Sequence, residues 1–189
     1  DVESREVRSP FAALGRNRET VHEVRHGPGR SVFTASDTSL KIEMTQVVAA
    51  NDPAKLMRLR IANRTERPRN LRIYAYAEWV LGNNRAKTAP YLRTWHDPAV
   101  NGLMAENPFS IDNSRRTAFL AADRALQSYS VDRREFLGLQ GNTFAPAAVL
   151  SGASLANTVD AMGDPCAALA VDLGIAGGGT AEITFVLGD

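Results

Sequence analysis

Apolar and polar side chains alternate with a period of two residues in several parts of this chain. The alternation is clearest in residues 40–44, 57–61, 71–78 and 183–187. Successive side chains of a strand point to opposite faces, so this pattern puts one face in a core and the other in water. The four segments are therefore predicted to be strands.

Turn-forming residues separate these segments and leave little room for a long helix. No alternation of strands with helices recurs either, so the chain predicts antiparallel sheets packed face to face in a large all-β sandwich. The three glycines at 177–179 are placed as in the turn of a hairpin. The turn signals are Gly27-Pro28-Gly29, Asn51-Asp52-Pro53, Arg67-Pro68, Asp97-Pro98, Asn107-Pro108, Asp164-Pro165 and Gly177-Gly178-Gly179.

Two longer stretches do not follow the alternation. Residues 91–114 are rich in Pro, Asn and Asp, and residues 133–162 combine a possible short helix at Arg133–Leu137 with Ala, Ser and Gly. Functional residues tend to lie on such irregular segments. The length of 189 residues favours one domain over 1–189, with 1–18 as a lead-in segment. Because the chain begins without Met, we expect it to be a piece of a larger protein.

The net charge argues against a nucleic-acid partner. It is only +1, whereas neutralising several phosphates requires a clear excess of Lys and Arg. The charge is uneven: up to Trp95 there are 17 basic and 10 acidic residues, giving +7, and from His96 onward 5 and 11, giving −6. Arginines on the wet face of a sheet explain this better than an anionic partner. They are Arg58, Arg60, Arg64, Arg67, Arg69 and Arg72.

Metal, disulfide and serine-nucleophile chemistry find no support in the sequence. Cys166 is the single cysteine, which forbids an internal disulfide and makes a cysteine metal site implausible. His22 and His26 lie in an apparent strand, where structural or solvent-facing histidines are more common than ligands. No G-x-S-x-G motif is present, and no apolar run approaches the ~18 residues of a membrane span. We expect no cofactor and no metal.

Carboxylates and aromatic rings are the remaining candidates for sugar chemistry. A pair of acids a few ångströms apart cleaves glycosides, but a solvated or turn-capping role is favoured for each candidate acid. Aromatic rings grip the C–H faces of sugars. Trp79 follows a predicted strand and is assigned to the core, whereas Tyr91 and Trp95 fit packing and sugar contact equally. The acids are Glu78, Asp97, Asp132, Glu135 and Asp164, and the other rings are Phe109 and Phe136.

Six sequence strings, taken in order, resemble one family: glycoside hydrolase family 94, formerly glycosyltransferase family 36. The similarity is to its amino-terminal sandwich domain, and the nearest member type is the phosphorylase-like part of cyclic β-1,2-glucan synthases. The lead-in also matches, except that Arg8 stands where a Trp is usual. The strings are RHGPGRSVF (25–33), NDPAKLMRLRIANRT (51–65), YAYAEWVLG (74–82), DPAVNGLMAENPF (97–109), DRREFLG (132–138) and DPCAAL (164–169).

The resemblance implies an antiparallel supersandwich of two large sheets with short helical turns only. In this family an adjoining helical barrel carries the general acid and the phosphate pocket, so the sandwich is expected to be non-catalytic. The resemblance also implies that the sandwich supports the barrel and contacts β-glucan, only weakly when isolated, and it leaves open whether two copies form a homodimer. The parent is expected to be membrane-anchored, with this part on the cytoplasmic side of the bacterial inner membrane.

By position, the resemblance makes a loop near the DRREFLG string part of an active-site entrance. Its candidates for sugar or interface contact are Arg133, Arg134, Glu135, Gln140 and Asn142. An equally weighted alternative is that 133–135 only tie a turn to the sheet. Two other functions stay open at this point: a freestanding carbohydrate-binding module, motivated by Trp95, and a complete small hydrolase, which would need two neighbouring acids.

Overall fold

The computed structural model describes residues 1–12, 19–110, 116–161 and 163–189, so parts of the lead-in and of the two irregular stretches lie outside the described residues. Its helices have at most five residues, as predicted. The strands are β1 Val21–Gly27, β2 Arg30–Ser36, β3 Leu40–Val48, β4 Ala54–Asn63, β5 Arg69–Glu78, β6 Arg93–Asp97, β7 Gly102–Glu106, β8 Thr117–Ala122, β9 Ser128–Asp132, β10 Pro165–Ile175 and β11 Thr180–Gly188. The helices are α1 Arg85–Thr88, α2 Arg133–Leu137 and α3 Ala147–Ser151, and a 3₁₀ turn covers Ala89–Tyr91.

The strands form two antiparallel sheets of unequal size. The large sheet has eight strands in the order β1-β2-β3-β4-β11-β8-β7-β6, and the small sheet has three in the order β5-β10-β9. The all-β, two-layer prediction is confirmed. Because the small sheet is five strands narrower, it covers only part of the large one.

The four alternating segments are strands β3, β4, β5 and β11, as predicted. In β4, Leu59 and Ile61 are 7% and 1% exposed, whereas the arginines between and before them face solvent. Arg60 lies opposite Glu182 of β11, with Nε 3.3 Å from Oε1. The arginines of β4 therefore line the outer face of the large sheet, as predicted.

Strand β10 separates two apolar layers. Its odd-numbered residues, such as Leu169 and Val171, join the core between the sheets, while Cys166, Ala168 and Ala170 pack under α2 and α3. Small side chains on that side let the short helices lie close to the strand. The Cys166 thiol is buried, and burial raises its pKa, so it is unreactive.

Two predictions about connections were wrong. Residues 91–114 are not irregular throughout, because β6 and β7 form a hairpin there around the turn after Asp97, and Trp95 lies in β6. The glycines at 177–179 do not close a hairpin, because β10 and β11 belong to different sheets. They carry the chain from the small sheet to the large one.

A second crossover, between β4 and β5, meets those glycines at one buried amide. Asn63 is 2% exposed, and its Nδ2 donates to the carbonyls of Arg67 (2.7 Å) and Ala176 (3.1 Å). Its Oδ1 accepts from the Thr65 amide at 3.1 Å, and its own N–H donates to Gly179 O at 2.9 Å. One buried side chain thus bonds backbone groups of both crossovers.

We expect Asn63→Ala to lower the free energy of unfolding by about 2 kcal/mol, because it removes the hydrogen bonds that a buried side chain makes to both crossovers. Urea unfolding followed by circular dichroism measures the loss. Asn83→Ala, at an exposed asparagine, is the matched control and should change stability by less than ~0.5 kcal/mol. Equal effects of the two substitutions would contradict the assignment.

Candidate functional site

Helix α2 and the loop after it lie on the outer side of the small sheet. Asp132 caps the helix, since its Oδ1 accepts from the Arg134 amide at 2.8 Å, and Gly138 ends it with a φ of +84°. Phe136 is 2% exposed, and its ring stacks on Tyr76 of β5 with centroids 4.6 Å apart. The predicted helix is confirmed, and Phe136 serves packing rather than sugar contact.

Four charged side chains meet where α1, β5, α2 and the start of β10 converge; we call Glu78, Arg85, Arg133 and Asp164 the charge cluster. Arg133 Nε donates to Glu78 Oε1 at 2.8 Å, and its Nη1 lies 3.8 Å from Asp164 Oδ2. Arg85 Nε lies 3.7 Å from Glu78 Oε2, and its Nη2 bonds Asp164 Oδ1. Two cations face two anions, so the charge cluster is neutral and holds four elements together.

The electrostatics of Glu78 do not suit a general acid. Burial by itself would raise the pKa of this carboxyl, but hydrogen bonds from Arg133 and Tyr76 outweigh burial and keep the pKa below its usual value. Tyr76 Oη donates to Glu78 Oε1 at 2.8 Å. A proton donor for glycoside cleavage needs a raised pKa, so Glu78 is fitted to stay ionised as a charge partner.

Glu135 is also engaged within the fold. Its Oε1 accepts from the Ala156 amide at 2.6 Å, and its Oε2 accepts from the Ser130 hydroxyl. These bonds fasten α2 to β9 and to the segment that follows α3. Arg133 and Glu135 thus both tie the helix to the sheet, the alternative that the sequence left open, and their contact with sugar stays a prediction.

The other candidates on this side reach solvent. Arg134 and Gln140 are exposed, and within the described ranges their side chains make no hydrogen bond or ion pair. Asn142 Oδ1 accepts from the Phe144 amide at 2.9 Å, which shapes the loop 138–146. Leu139 and Phe144 in that loop are 95% and 66% exposed. The loop 138–146 therefore offers polar and apolar groups to a partner.

Tyr91 and Trp95 lie elsewhere. Tyr91 is 55% exposed and contacts Phe109, which is 71% exposed, with ring centroids 5.4 Å apart. In β6, His96 points inward and stacks on Tyr129 of β9, so its neighbour Trp95 points to the outer face of the large sheet. Trp95 and the loop 138–146 are thus on opposite outer faces of the sandwich. They do not form one sugar site.

The remaining residues that the sequence singled out pack in the core or cap turns and helices. Trp79 is 4% exposed and in the core, as predicted. Asp97 Oδ1 accepts from the Ala99 amide at 2.9 Å, so Asp97 and Asp132 both have the predicted capping roles. Sequence reasoning missed Arg85, because a four-residue helix carries no periodic signal that would place it beside Glu78.

In the part of the chain that the structure describes, no group of three or more His, Cys, Asp or Glu side chains could hold a metal ion. Within the same ranges, no helix has the length and apolar character needed to cross a membrane.

Comparisons with known proteins point to one family. A family model described as the supersandwich domain of glycosyl hydrolase 94 matches residues 1–189. The cyclic beta-(1,2)-glucan synthase NdvB of Rhizobium meliloti (strain 1021) is 47% identical over 189 residues, which are 100% of this chain and 7% of that relative. The chain therefore spans a small part of the length of the relative it matches.

Solved structures share the fold at low identity. A polysaccharide lyase superposes with a TM-score of 0.50 at 10% identity, over 87% of this chain and 22% of the lyase. A putative kojibiose phosphorylase from human microbiome gives a TM-score of 0.47 at 10% identity, over 84% of this chain and 17% of the phosphorylase. The lyase supports the fold and nothing beyond it.

The lowered pKa of Glu78 predicts a pH dependence of stability. A carboxyl whose folded pKa lies below its unfolded value stabilises the protein above the unfolded pKa, and this stabilisation is lost as the pH falls through the folded pKa. We expect Glu78→Gln to lower the free energy of unfolding at neutral pH, because it removes the ion pair with Arg133. The loss should be only about 1 kcal/mol, because solvent screens the charges at this partly exposed site. The difference from the unmodified protein should shrink in acid.

Urea unfolding at a series of pH values measures this effect. Glu66→Gln is the control, because the Glu66 side chain is exposed and forms no ion pair in the described ranges. A Glu78→Gln effect that persists unchanged below the acid transition would show that the charge of Glu78 is not what stabilises the fold.

Proposed function

The chain belongs to the supersandwich-domain family of glycosyl hydrolase 94, and on that premise we propose that it is a non-catalytic domain of a longer, cyclic β-1,2-glucan synthase-like enzyme. Such an enzyme is a glycosyltransferase or glycoside phosphorylase, anchored to the inner membrane of a bacterium with this domain on the cytoplasmic side. The observation that carries the proposal is the match along the whole chain to 7% of a glucan synthase.

The charge cluster supports the non-catalytic assignment. Both of its acids are paired with arginines, and the pKa of Glu78 is lowered rather than raised. An inverting or retaining glycosidase needs one protonated carboxyl beside one ionised carboxyl. We therefore assign the reacting groups to an adjoining helical-barrel domain of the parent, which the sandwich supports.

The loop 138–146 is the part of this domain that we assign to contact with glucan or with the barrel. Gln140 in this loop and Arg134 in the adjoining helix α2 have no intramolecular side-chain partner in the described ranges, so a new contact would break no existing bond. The exposed Leu139 and Phe144 add apolar area. A loop held at its base by α2 and the charge cluster presents these groups from a rigid support.

A second candidate function is a freestanding carbohydrate-binding module. The exposed ring pair Tyr91 and Phe109 favours it, since exposed aromatic rings pack on the C–H faces of sugars. The two rings are inclined by 58°, so one sugar face can lie flat on only one of them. We rank this function second for that reason.

We expect the isolated chain to bind β-1,2-glucooligosaccharides with a Kd above ~1 mM, because one side of a shared site lacks the contacts that offset the ordering of the sugar. Isothermal titration calorimetry measures the affinity. Micromolar binding that is lost in Tyr91→Ala but retained in Trp95→Ala would favour the module instead. Phosphate release or glucan cleavage by the isolated chain would refute the non-catalytic assignment.

In the parent enzyme, we expect the double substitution of Arg134→Ala and Gln140→Ala to lower kcat/KM for β-1,2-glucan about fivefold, which corresponds to the loss of peripheral contacts. Arg58→Ala, on the outer face of the large sheet, is the matched control and should leave kcat/KM unchanged. Unchanged kinetics of the double variant, with normal folding by circular dichroism, would remove both Arg134 of α2 and the loop 138–146 from the proposal.

A further inference from the structure

The small sheet itself does not extend over one side of the large sheet. Strand β10 contacts β7 and β11, and Tyr129 of β9 stacks on His96 of β6, so the small sheet lies over the β6 side. On the other side, the inner faces of β1, β2 and β3 extend past β5, the end strand of the small sheet. Val24 on the inner face of β1 is accordingly 49% exposed. The lead-in already covers part of β2 and β3, where Ala35 and Leu40 are 3% and 2% exposed, and the open space that remains lies between the lead-in and β5.

In the part of the chain that the structure describes, the edge of β5 that faces away from β10 accepts a backbone hydrogen bond at Asn70 and is unpaired beyond it. The Val2 amide donates to Asn70 O at 2.9 Å, so the carbonyl of Asn70 points away from β10. In an antiparallel pair every second residue has this orientation, which places the N–H and C=O groups of Arg72, Tyr74 and Tyr76 on the same free edge. Within the described ranges no group bonds to these backbone atoms.

An apolar cleft of about 1080 Å³ runs along this edge. Towards the large sheet it is lined by Met44, Met57 and Phe185, and on the outer side by Phe144 and Leu150, which are 66% and 56% exposed. A strand placed beside β5 would therefore contact apolar groups on both of its faces. Buried strands of that kind carry apolar residues throughout.

From this edge and this cleft we infer that β5 receives an additional strand from the rest of the parent polypeptide, which extends the small sheet over β1–β3. Only a polypeptide backbone matches the spacing of a free strand edge, so a sugar does not fit it. The inner faces of β2 and β3 already have a partial cover from the same chain: Phe11 contacts Phe33 with ring centroids 5.0 Å apart. The added strand continues the interface that begins at Asn70.

A second copy of the chain is a poor occupant of the same edge. Antiparallel pairing of two β5 strands has a two-fold axis perpendicular to the sheet, so both large sheets would lie on the same side of it. The strands β1–β3 of the two copies would then overlap in the same space. A segment of the parent has no such conflict, and its tether gives it a high effective concentration.

Hydrogen–deuterium exchange, read by mass spectrometry at single-amide resolution, tests the inference. In the parent protein, the amides of Arg72, Tyr74 and Tyr76 should exchange at least ~100-fold more slowly than in the dilute isolated chain. The amides of Ile73 and Ala75, which face β10, are internal controls and should be protected in both samples.

Three other results would overturn the inference. They are rapid exchange of the edge amides in the parent, equal protection in the dilute isolated chain, and protection of the isolated chain that appears only at high concentration or on addition of β-1,2-glucooligosaccharides. The inference rests on the proposal that this domain is part of a longer enzyme. Rapid exchange in a catalytically active parent would refute the added strand while leaving the proposed function intact.

Discussion

The buried amide of Asn63 is the contact on which the arrangement of the two sheets depends. The chain changes sheets twice at this corner, once after β4 and once after β10, and both crossovers bond to the same side chain. Backbone groups of a crossover have no neighbouring strand to pair with, and the Asn63 side chain supplies partners for several of them. Gly177 permits the close approach, because a Cβ there would lie 1.9 Å from the Glu66 carbonyl oxygen.

The strand pairing that begins at this corner also determines which side chains meet at the other end of the small sheet. Pairing of β5 with β10 begins at Arg69 opposite Ile175 and runs without a shift to Glu78 opposite Cys166. Because Asp164 immediately precedes β10, this register sets Glu78 near Asp164, where Arg85 and Arg133 bridge the two acids. The charge cluster is thus a consequence of sheet register, and its balanced charges hold α2 and its loop in place.

The unequal width of the two sheets gives this domain a closed core around β10 and an open cleft on its β1 side. Its central layer is closed around β10, where residue after residue is fully buried. Its β1 side has an apolar cleft, and among the described residues the edge of β5 along that cleft is unpaired beyond Asn70. Natural proteins cover such features because they promote unwanted pairing. A domain built in this way suits incorporation into a larger molecule, in agreement with its match to a small part of a glucan synthase.

The sequence by itself determined the local structure. Period-two alternation predicted β3, β4, β5 and β11, and the position of Asp132 before Arg133–Leu137 is the capping arrangement of α2. The ordered motifs also identified the family. These properties depend on neighbours a few residues apart, so they can be read along the chain.

Only the tertiary structure decided which strands share a sheet and which side chains meet. Strands of both sheets have the same period, so the glycines at 177–179 looked like a hairpin turn although they join two layers. His96 met Tyr129, which turned Trp95 away from the loop 138–146, and Arg85 met Asp164, through contacts between segments that are far apart in the chain. Alternation determines on which face of a strand a side chain lies, but the residue that it contacts is set by the non-local register of the sheets.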